Sequence, residues 1–369
     1  MNAHIINCEE SQFPNYRNNG YIGVGIVINS TSSQALSNAC RTTYSMYADM
    51  KTIFPGDMIF VHAGEYIYGV FKAESTFKED PNVNPQFLSA NIHYRQKPNY
   101  TTSGWQTLVN KPLQDIQIPP SDYRQLSISH YFENSKNLCF EKGFLANEVF
   151  NLKRKGKIWS IPERWKYPDE ARTIRPIMLT EARELIKLLE RENNSDNTLI
   201  IKPKDLSSFL DIQLILDPEI VEDEKIIEAW LCENLETPQL RKIFGNFTCY
   251  GNNVQIGYLQ GIDIFGYVEG VSGIVKYKVI EIKKGALTFF KDNSDVIKQT
   301  LGYMDWAIEF LGNGDPNMVD GYIVARSFDW DFQNFVQCYN RVNIGRNLSL
   351  VQFDYTPPQY NTLTLRRII

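Results

Sequence analysis

The chain has 369 residues, 43% of them hydrophobic and 22% charged, with a formal net charge of −5. These values describe ordinary globular protein with room for two or three cores, and they exclude low-complexity and disulfide-scaffold architectures. No apolar run approaches the ~18 residues of a membrane span, and the slightly acidic balance weighs against a uniformly basic nucleic-acid binder.

Six cysteines, at positions 8, 40, 139, 232, 249 and 338, form no C-x-x-C pair and stand apart from the four histidines. Neither a zinc site nor a disulfide frame is expected, and reduced, mostly buried thiols fit a cytoplasmic protein. The opening MNAHIINCEESQF has no basic region followed by an apolar run, so no signal peptide is expected. Internal repeats and Gly-rich nucleotide loops are absent from the sequence.

Residues 1–150 predict a mostly β domain. Gly20–Asn29 reads as a strand, and residues 31–53 as a turn and a helix with Met46, Met50 and Ile53 on one side. Pro55-Gly56-Asp57 is a turn, Met58–His62 a strand, Gly64-Glu65 a tight connection and Tyr66–Ala73 the returning strand. Tyr66, Tyr68 and Phe71 are expected in the core. The PGD turn with its hairpin resembles the PUA-like superfamily, especially its EVE- and YTH-type members. That resemblance implies a small β-barrel with helices that binds RNA or DNA, often holding one modified base in an aromatic pocket. Trp105, in the polar stretch NYTTSGWQTL, is the first candidate for stacking a base. Tyr94, Tyr100 and Trp159 are further candidates, although core packing is the commoner fate of any one of them.

Residues 151–204 predict a basic, aromatic linker followed by a helix. Residues 151–175 carry eight Lys/Arg against three Asp/Glu, interleaved with Trp159, Trp165 and Tyr167. Lys155, Lys157 and Trp159 suit a phosphate backbone and its bases; a solvated linker docked on a neighbour accounts for them equally well. Pro162, Pro168 and Pro176 exclude a long helix. Met178–Arg191 then reads as an amphipathic helix capped by Thr180, with Ala182, Leu185, Ile186, Leu188 and Leu189 on its apolar stripe.

Residues 205–369 predict the order α-β-β-β-α-β-α-β. Asp217-Pro218 starts a helix, and Ile226, Ile227, Trp230 and Leu231 continue it. Ile256–Phe265 and Val275–Lys283 read as a hairpin with its turn near Gly266, Gly270 and Gly273. Gly321–Arg326 and Leu348–Tyr355 are further strands, with a helix from Phe332 to Val342 between them. Arg341, Arg346, Arg366 and Arg367 are candidates for lining a nucleic-acid cleft or for a plain surface.

Glu281 and Lys283, two apart on a strand, share one face. Asp263, near the end of the preceding strand, can approach Glu281. Two buried carboxylates so close repel unless a cation lies between them, and hard oxygen ligands suit Mg²⁺, with Mn²⁺ as a substitute. Such a metal activates water and stabilises a phosphorane-like transition state, with Lys283 neutralising developing charge. Gln299 and Tyr303, four apart on the following helix, point the same way.

Asp263, then Glu281-x-Lys283, then Gln299-x-x-x-Tyr303 resembles the PD-(D/E)XK nuclease superfamily, and VIEIKKG…QTLGYMDW is similar to its NucS-type branch. The resemblance implies metal ligands at Asp263 and Glu281, a catalytic Lys283, supporting polar groups at Gln299 and Tyr303, and an acidic helix residue at Glu228. Ile262 stands where many members have proline. The fold class expected is therefore a two-domain α+β or α/β protein, a PUA-like β-barrel joined to a restriction-endonuclease-like mixed sheet flanked by helices. The function expected is Mg²⁺-dependent cleavage of DNA directed by a modified base. Double-strand cutting requires two active sites and hence a homodimer. A mismatch or repair nuclease, an RNA-directed nuclease, and a binding protein that keeps the nuclease fold as a scaffold are the alternatives.

Overall fold

The computed structural model describes residues 3–24, 44–80, 124–161, 173–194, 199–212, 224–256, 260–270, 273–354 and 363–369. It is a mixed α/β structure that divides into two compact units, residues 1–214 with 257–259 and residues 215–256 with 260–369. Among the described residues no helix is long and apolar enough to cross a membrane.

The first unit opens with β1 (Ala3–Cys8), α1 (Phe13–Asn18) and β2 (Tyr21–Val24), followed by helical residues 44–51. Next come β3 (Met58–Ala63), β4 (Tyr66–Ala73), β5 (Lys78–Glu79), β6 (Arg124–His130), the small ribbon β7 (Phe132–Glu133) and β8 (Lys136–Asn137), and β9 (Phe144–Leu145). The unit ends with α2 (Glu148–Arg154), β10 (Ile174–Ile177), α3 (Leu179–Glu192) and β11 (Leu210–Asp211). The strands form one sheet in the order β10-β1-β3-β4-β6-β5-β11, with β2 on β6 and β9 on β4. Among the described residues no pairing joins β10 to β11, so the path stays open where a closed barrel is expected from the PUA-like resemblance. The predicted hairpin is β3 and β4, paired antiparallel. Phe71 is buried in it, whereas Tyr66, expected in the core, is exposed.

Residues 151–204 belong to this unit rather than to a linker. β10 pairs with β1, and Ala182, Leu185, Ile186 and Leu189 of α3 pack with Ile5, Phe60, Val70 and Phe144 in one core. The boundary therefore falls at 214/215, not 204/205. Thr180 does not cap α3. Met178 is the N-cap, and its N–H donates to the Glu181 carboxylate at 2.8 Å. That carboxylate also accepts the N–H groups of Trp159 and Ser160, at 2.5 and 2.8 Å. The predicted helix start at Asp217-Pro218 lies outside the described residues.

The second unit begins with α4 (Glu224–Asn234), α5 (Pro238–Phe244), β12 (Cys249–Ile256), β13 (Gln260–Glu269), β14 (Val275–Ile282) and β15 (Ala286–Leu287). It continues with α6 (Phe289–Phe310), a 3₁₀ turn (Pro316–Met318), β16 (Val319–Ala325), β17 (Ser327–Phe328), α7 (Trp330–Val342), β18 (Asn347–Asp354) and β19 (Thr364–Arg367). The sheet runs β12-β13-β14-β16-β18-β19. Its edges are antiparallel, while β14, β16 and β18 are parallel. Their connections pass through α6 and α7, as parallel neighbours require. β16 is buried along its whole length, the pattern of a central strand covered on both faces.

Glycine positions two parts of this unit. A Cβ at Gly321 would meet Met304 Sδ at 2.3 Å, so α6 rests on bare backbone there. Gly266, expected in the turn, lies inside β13, where a Cβ would meet the Cys249 carbonyl at 2.4 Å across the ladder. The chain reverses instead near Gly270 and Gly273, whose backbones are hydrogen-bonded to each other.

Candidate active site

The predicted site assembles at one end of the β13–β14 ladder. The antiparallel register pairs Ile264 with Ile280, and one further step sets Asp263 opposite Glu281. There the carboxylate intervenes in the main-chain pattern, because Asp263 Oδ2 accepts the Ile282 N–H at 2.8 Å. On its other side β14 pairs parallel with β16, which sets Glu281 beside Ile323. The Lys283 N–H donates to the Val324 carbonyl at 2.8 Å, so the lysine leaves the sheet at a fixed point.

Alternation on β14 turns Glu281 and Lys283 to the same side, and Lys283 Nζ lies 2.5 Å from Glu281 Oε1. Glu281 is buried and Lys283 half-buried. Glu281 Oε2 is buried without a hydrogen-bond partner among the described residues. Leaving a buried carboxylate oxygen unsatisfied is costly.

α4 packs on β13 and β14 and adds charge. Glu228 is 1% exposed and lies 2.5 Å from Lys225 Nζ. Glu224, four residues before Glu228 and so on the same helix face, acts electrostatically on Glu281 and Lys283. Glu224 and Lys225 were not anticipated. The signal was available in the i, i+4 spacing of Glu224 and Glu228 in EKIIE.

Burial pushes the Asp263 carboxyl up, and the negative charge of Glu228 adds to this; Lys225, the Ile282 N–H and Lys283 only partly offset it. Burial likewise raises Glu281, with Asp263 the next cause and Lys283 opposing. Burial pulls the Lys283 ammonium down, but Glu281, Asp263 and Glu224 outweigh it and hold it above its ordinary value. Four carboxyl groups thus share two ammonium groups, and burial and mutual repulsion hold Asp263 and Glu281 above the ordinary carboxylate range.

Gln299 and Tyr303 do come together on α6, with Gln299 Nε2 donating to the Tyr303 hydroxyl at 2.7 Å. The buried Tyr303 hydroxyl in turn donates to the Gly261 carbonyl at 3.1 Å. Tyr303 is thereby tied to the backbone two residues before Asp263, with Gln299 bonded to its hydroxyl.

Among the described residues no three His, Cys, Asp or Glu side chains already form a cage for a metal ion. Mg²⁺ needs no such cage, since it retains several waters and binds through one or two carboxylates. The orphaned Glu281 oxygen and the excess of carboxyl over ammonium groups beside Asp263 fit that requirement.

In the first unit, Lys155 is exposed at the C-cap of α2. Lys157 is paired with Glu184 at 2.9 Å, Lys153 is buried with its ammonium on the Ile161 carbonyl at 2.7 Å, and Trp159 is half-buried. Lys153 and Lys157 are thus turned inward or neutralised, while Arg154 and Lys155 are exposed. Tyr94, Tyr100 and Trp105 lie outside the described residues. An aromatic group not foreseen as a surface lies at the outer end of β4. Tyr68 packs against Phe13 with ring centroids 4.4 Å apart, Tyr66 lies 6.2 Å from Tyr68, and the Arg17 guanidinium sits over Phe13. No known protein-family model matches the chain, and no curated protein matches it.

Proposed function

We propose that this protein is a Mg²⁺-dependent endonuclease of the PD-(D/E)XK type whose second unit hydrolyses phosphodiester bonds. The observation that carries the reading is the uncompensated carboxylate pair. Asp263 and Glu281 lie where the β13–β14 ladder opens, one oxygen of Glu281 has no partner, and Lys283 stands beside it.

Asp263 and Glu281 are the residues that hold the ion. When bound, Mg²⁺ supplies Lewis acidity at the phosphoryl oxygen and lowers the pKa of a coordinated water. Lys283 then turns its ammonium to the phosphate oxygens and balances the charge that develops there. Glu228, fixed by Lys225, maintains negative potential beside Asp263 and favours cation entry. Tyr303, steadied by Gln299, holds the backbone that carries Asp263.

DNA is the substrate favoured by the resemblance to the NucS-type branch, and the first unit is proposed as a PUA-like reader of a modified base. A binding protein with no cleavage is the rival, and the 2.5 Å Lys283–Glu281 pair favours it in one respect: an ion pair on a strand is a sufficient structural reason for both residues.

The deciding experiment gives the full chain and its Lys283→Ala variant Mg²⁺ or Mn²⁺ and four plasmid DNAs. These are unmodified, N6-methyladenine-, 5-methylcytosine- and 5-hydroxymethylcytosine-containing. Lysine-dependent cutting of one modified DNA supports the whole reading. Cutting of all four keeps the nuclease and removes the modified-base reader, and cutting of none removes the DNA nuclease and leaves an RNA substrate or the binding protein.

A further inference from the structure

Helix α7 turns an apolar face to solvent. Its inner side buries Phe332 and Val336. On its outer side Trp330 is 74% exposed, Val342 80% and Phe335 38%, and Cys338 is also exposed. Ile344, just past the helix end, is 89% exposed. Phe335 continues the surface through Phe289, whose ring lies 5.3 Å away, to Phe290, 5.6 Å further and 84% exposed. An aromatic side chain offers about 150–250 Å², so these groups together expose roughly 600 Å² of apolar surface. That exceeds what isolated surface residues explain and approaches the ~800 Å² per partner of a standard interface.

The helix carries only two charged residues, Asp331 in its first turn and Arg341 in its last. Neither forms an ion pair among the described residues. Their placement is self-complementary. If a second copy of the helix lies antiparallel across a two-fold axis at the level of Val336, Asp331 of each copy stands opposite Arg341 of the other. The same register sets Trp330 opposite Val342 and Asn334 opposite Cys338. A closed two-fold contact requires such a patch, because one surface must match itself.

We propose that α7 is the face through which two copies of this chain associate, antiparallel, with two reciprocal Asp331–Arg341 pairs bordering an apolar contact. A nucleic-acid strand fits the face less well. Its exposed rings could stack bases, but the helix has a single arginine, balanced by an aspartate, and so no positive groove to hold a phosphate backbone. The inference does not depend on the nuclease reading, because association is measured without substrate.

The experiment is sedimentation equilibrium of the full chain across a range of concentrations, with circular dichroism to show that each variant is folded. The wild type is expected to dimerise. Asp331→Arg and Arg341→Asp are each expected to weaken the dimer about tenfold by setting like charges opposite each other. The double variant, with the charges exchanged, is expected to recover most of the loss. Val342→Glu is expected to leave a folded monomer. A wild type that stays monomeric overturns the proposal. So does a double variant as weak as the singles, or a Val342→Glu chain that dimerises normally. If Val342→Glu lowers affinity for a DNA oligonucleotide while the mass of the protein is unchanged, the face belongs to nucleic acid and the proposal fails.

Discussion

Strand β14 carries a lysine–carboxylate cluster at each end, and the two ends are balanced in opposite ways. At the N-terminal end Lys278 and Lys276 hold the two oxygens of Asp320 at 2.5 and 2.9 Å. Asn347 Nδ2 lies 3.3 Å from Asp320, and Lys278 Nζ 3.3 Å from the Tyr322 hydroxyl. At the C-terminal end Asp263, Glu281, Glu228 and Glu224 share Lys283 and Lys225. Burial pushes the Asp320 carboxyl up, but the two lysines outweigh it and hold it below its ordinary value; Asp263 and Glu281 are held above theirs. Burial is common to both clusters, and the ratio of cations to carboxylates decides the outcome. The first cluster is balanced by its own lysines, whereas in the second the carboxyls are held above their ordinary values.

That contrast breaks most severely at Asp320. Asp320→Ala leaves the buried Lys278 without its counter-charge and is expected to cost about 3–5 kcal/mol, read as a lower denaturant midpoint, with cleavage by the remaining folded fraction unaffected. Lys283→Ala reverses the pattern. Cleavage is expected to fall about 10²–10³-fold, while stability in chelator changes by less than it does at Asp320. Equal stability losses at the two positions would remove the distinction between a structural and a functional cluster.

Metal sharpens the comparison. At a Mg²⁺ concentration ~100-fold above its dissociation constant, the wild type is expected to gain about 2.7 kcal/mol, seen as a rise in Tm. The Asp263→Asn/Glu281→Gln double variant is expected to show no rise, and Asp320→Asn to retain it.

The two ends also differ in the sign of their pH dependence. For Asp263 and Glu281 the folded pKa lies above the unfolded values of 3.8 and 4.5. As pH rises through that interval the unfolded chain releases protons that the folded chain keeps, so metal-free stability falls. Asp320 is depressed below 3.8, so its contribution is complete above that pH and is lost as pH falls through its folded value. Tm measured in chelator is expected to decline from mildly acidic to mildly alkaline pH in the wild type and to decline less in Glu281→Gln. Mg²⁺ binding displaces protons and is expected to tighten with pH.

The smallest effect is expected at Tyr303. Tyr303→Phe removes the hydrogen bond to the Gly261 carbonyl at a cost of about 1 kcal/mol. If its cleavage rate falls as far as that of Lys283→Ala, the tyrosine meets the substrate directly and its positioning role is refuted.

How legible these features are in the sequence depends on how local their causes are. Period-two alternation placed Glu281 and Lys283 on one face, and four-residue spacing joined Gln299 to Tyr303, because both relations lie within one element. The start of α7 shifted from Phe332 to Trp330 because Asp329 caps it, accepting the Phe332 N–H at 2.8 Å; that signal could have been read. Pro238, in the first turn of α5, is another. In residues 151–204 the helix was legible, and what was not is that the stretch before it belongs to the first unit. Lys153 and Lys157 find a carbonyl and an acid, and β10 its partner strand, only through the fold, so composition made the stretch resemble a solvated linker. The orphaned oxygen of Glu281 likewise depends on which neighbours do not reach it, and spacing along a strand carries no trace of that.

The hydrogen bond from the Ile282 N–H to Asp263 has a consequence for how substitutions accumulate. Asp263 serves as a side-chain rung of the sheet in addition to its proposed role toward metal, so its removal takes a hydrogen bond from the sheet as well as a carboxylate from the cluster. Selection for folding alone is enough to retain it. The Lys283 backbone supplies its bond to Val324 whatever its side chain, and the side chain pairs instead with the buried Glu281.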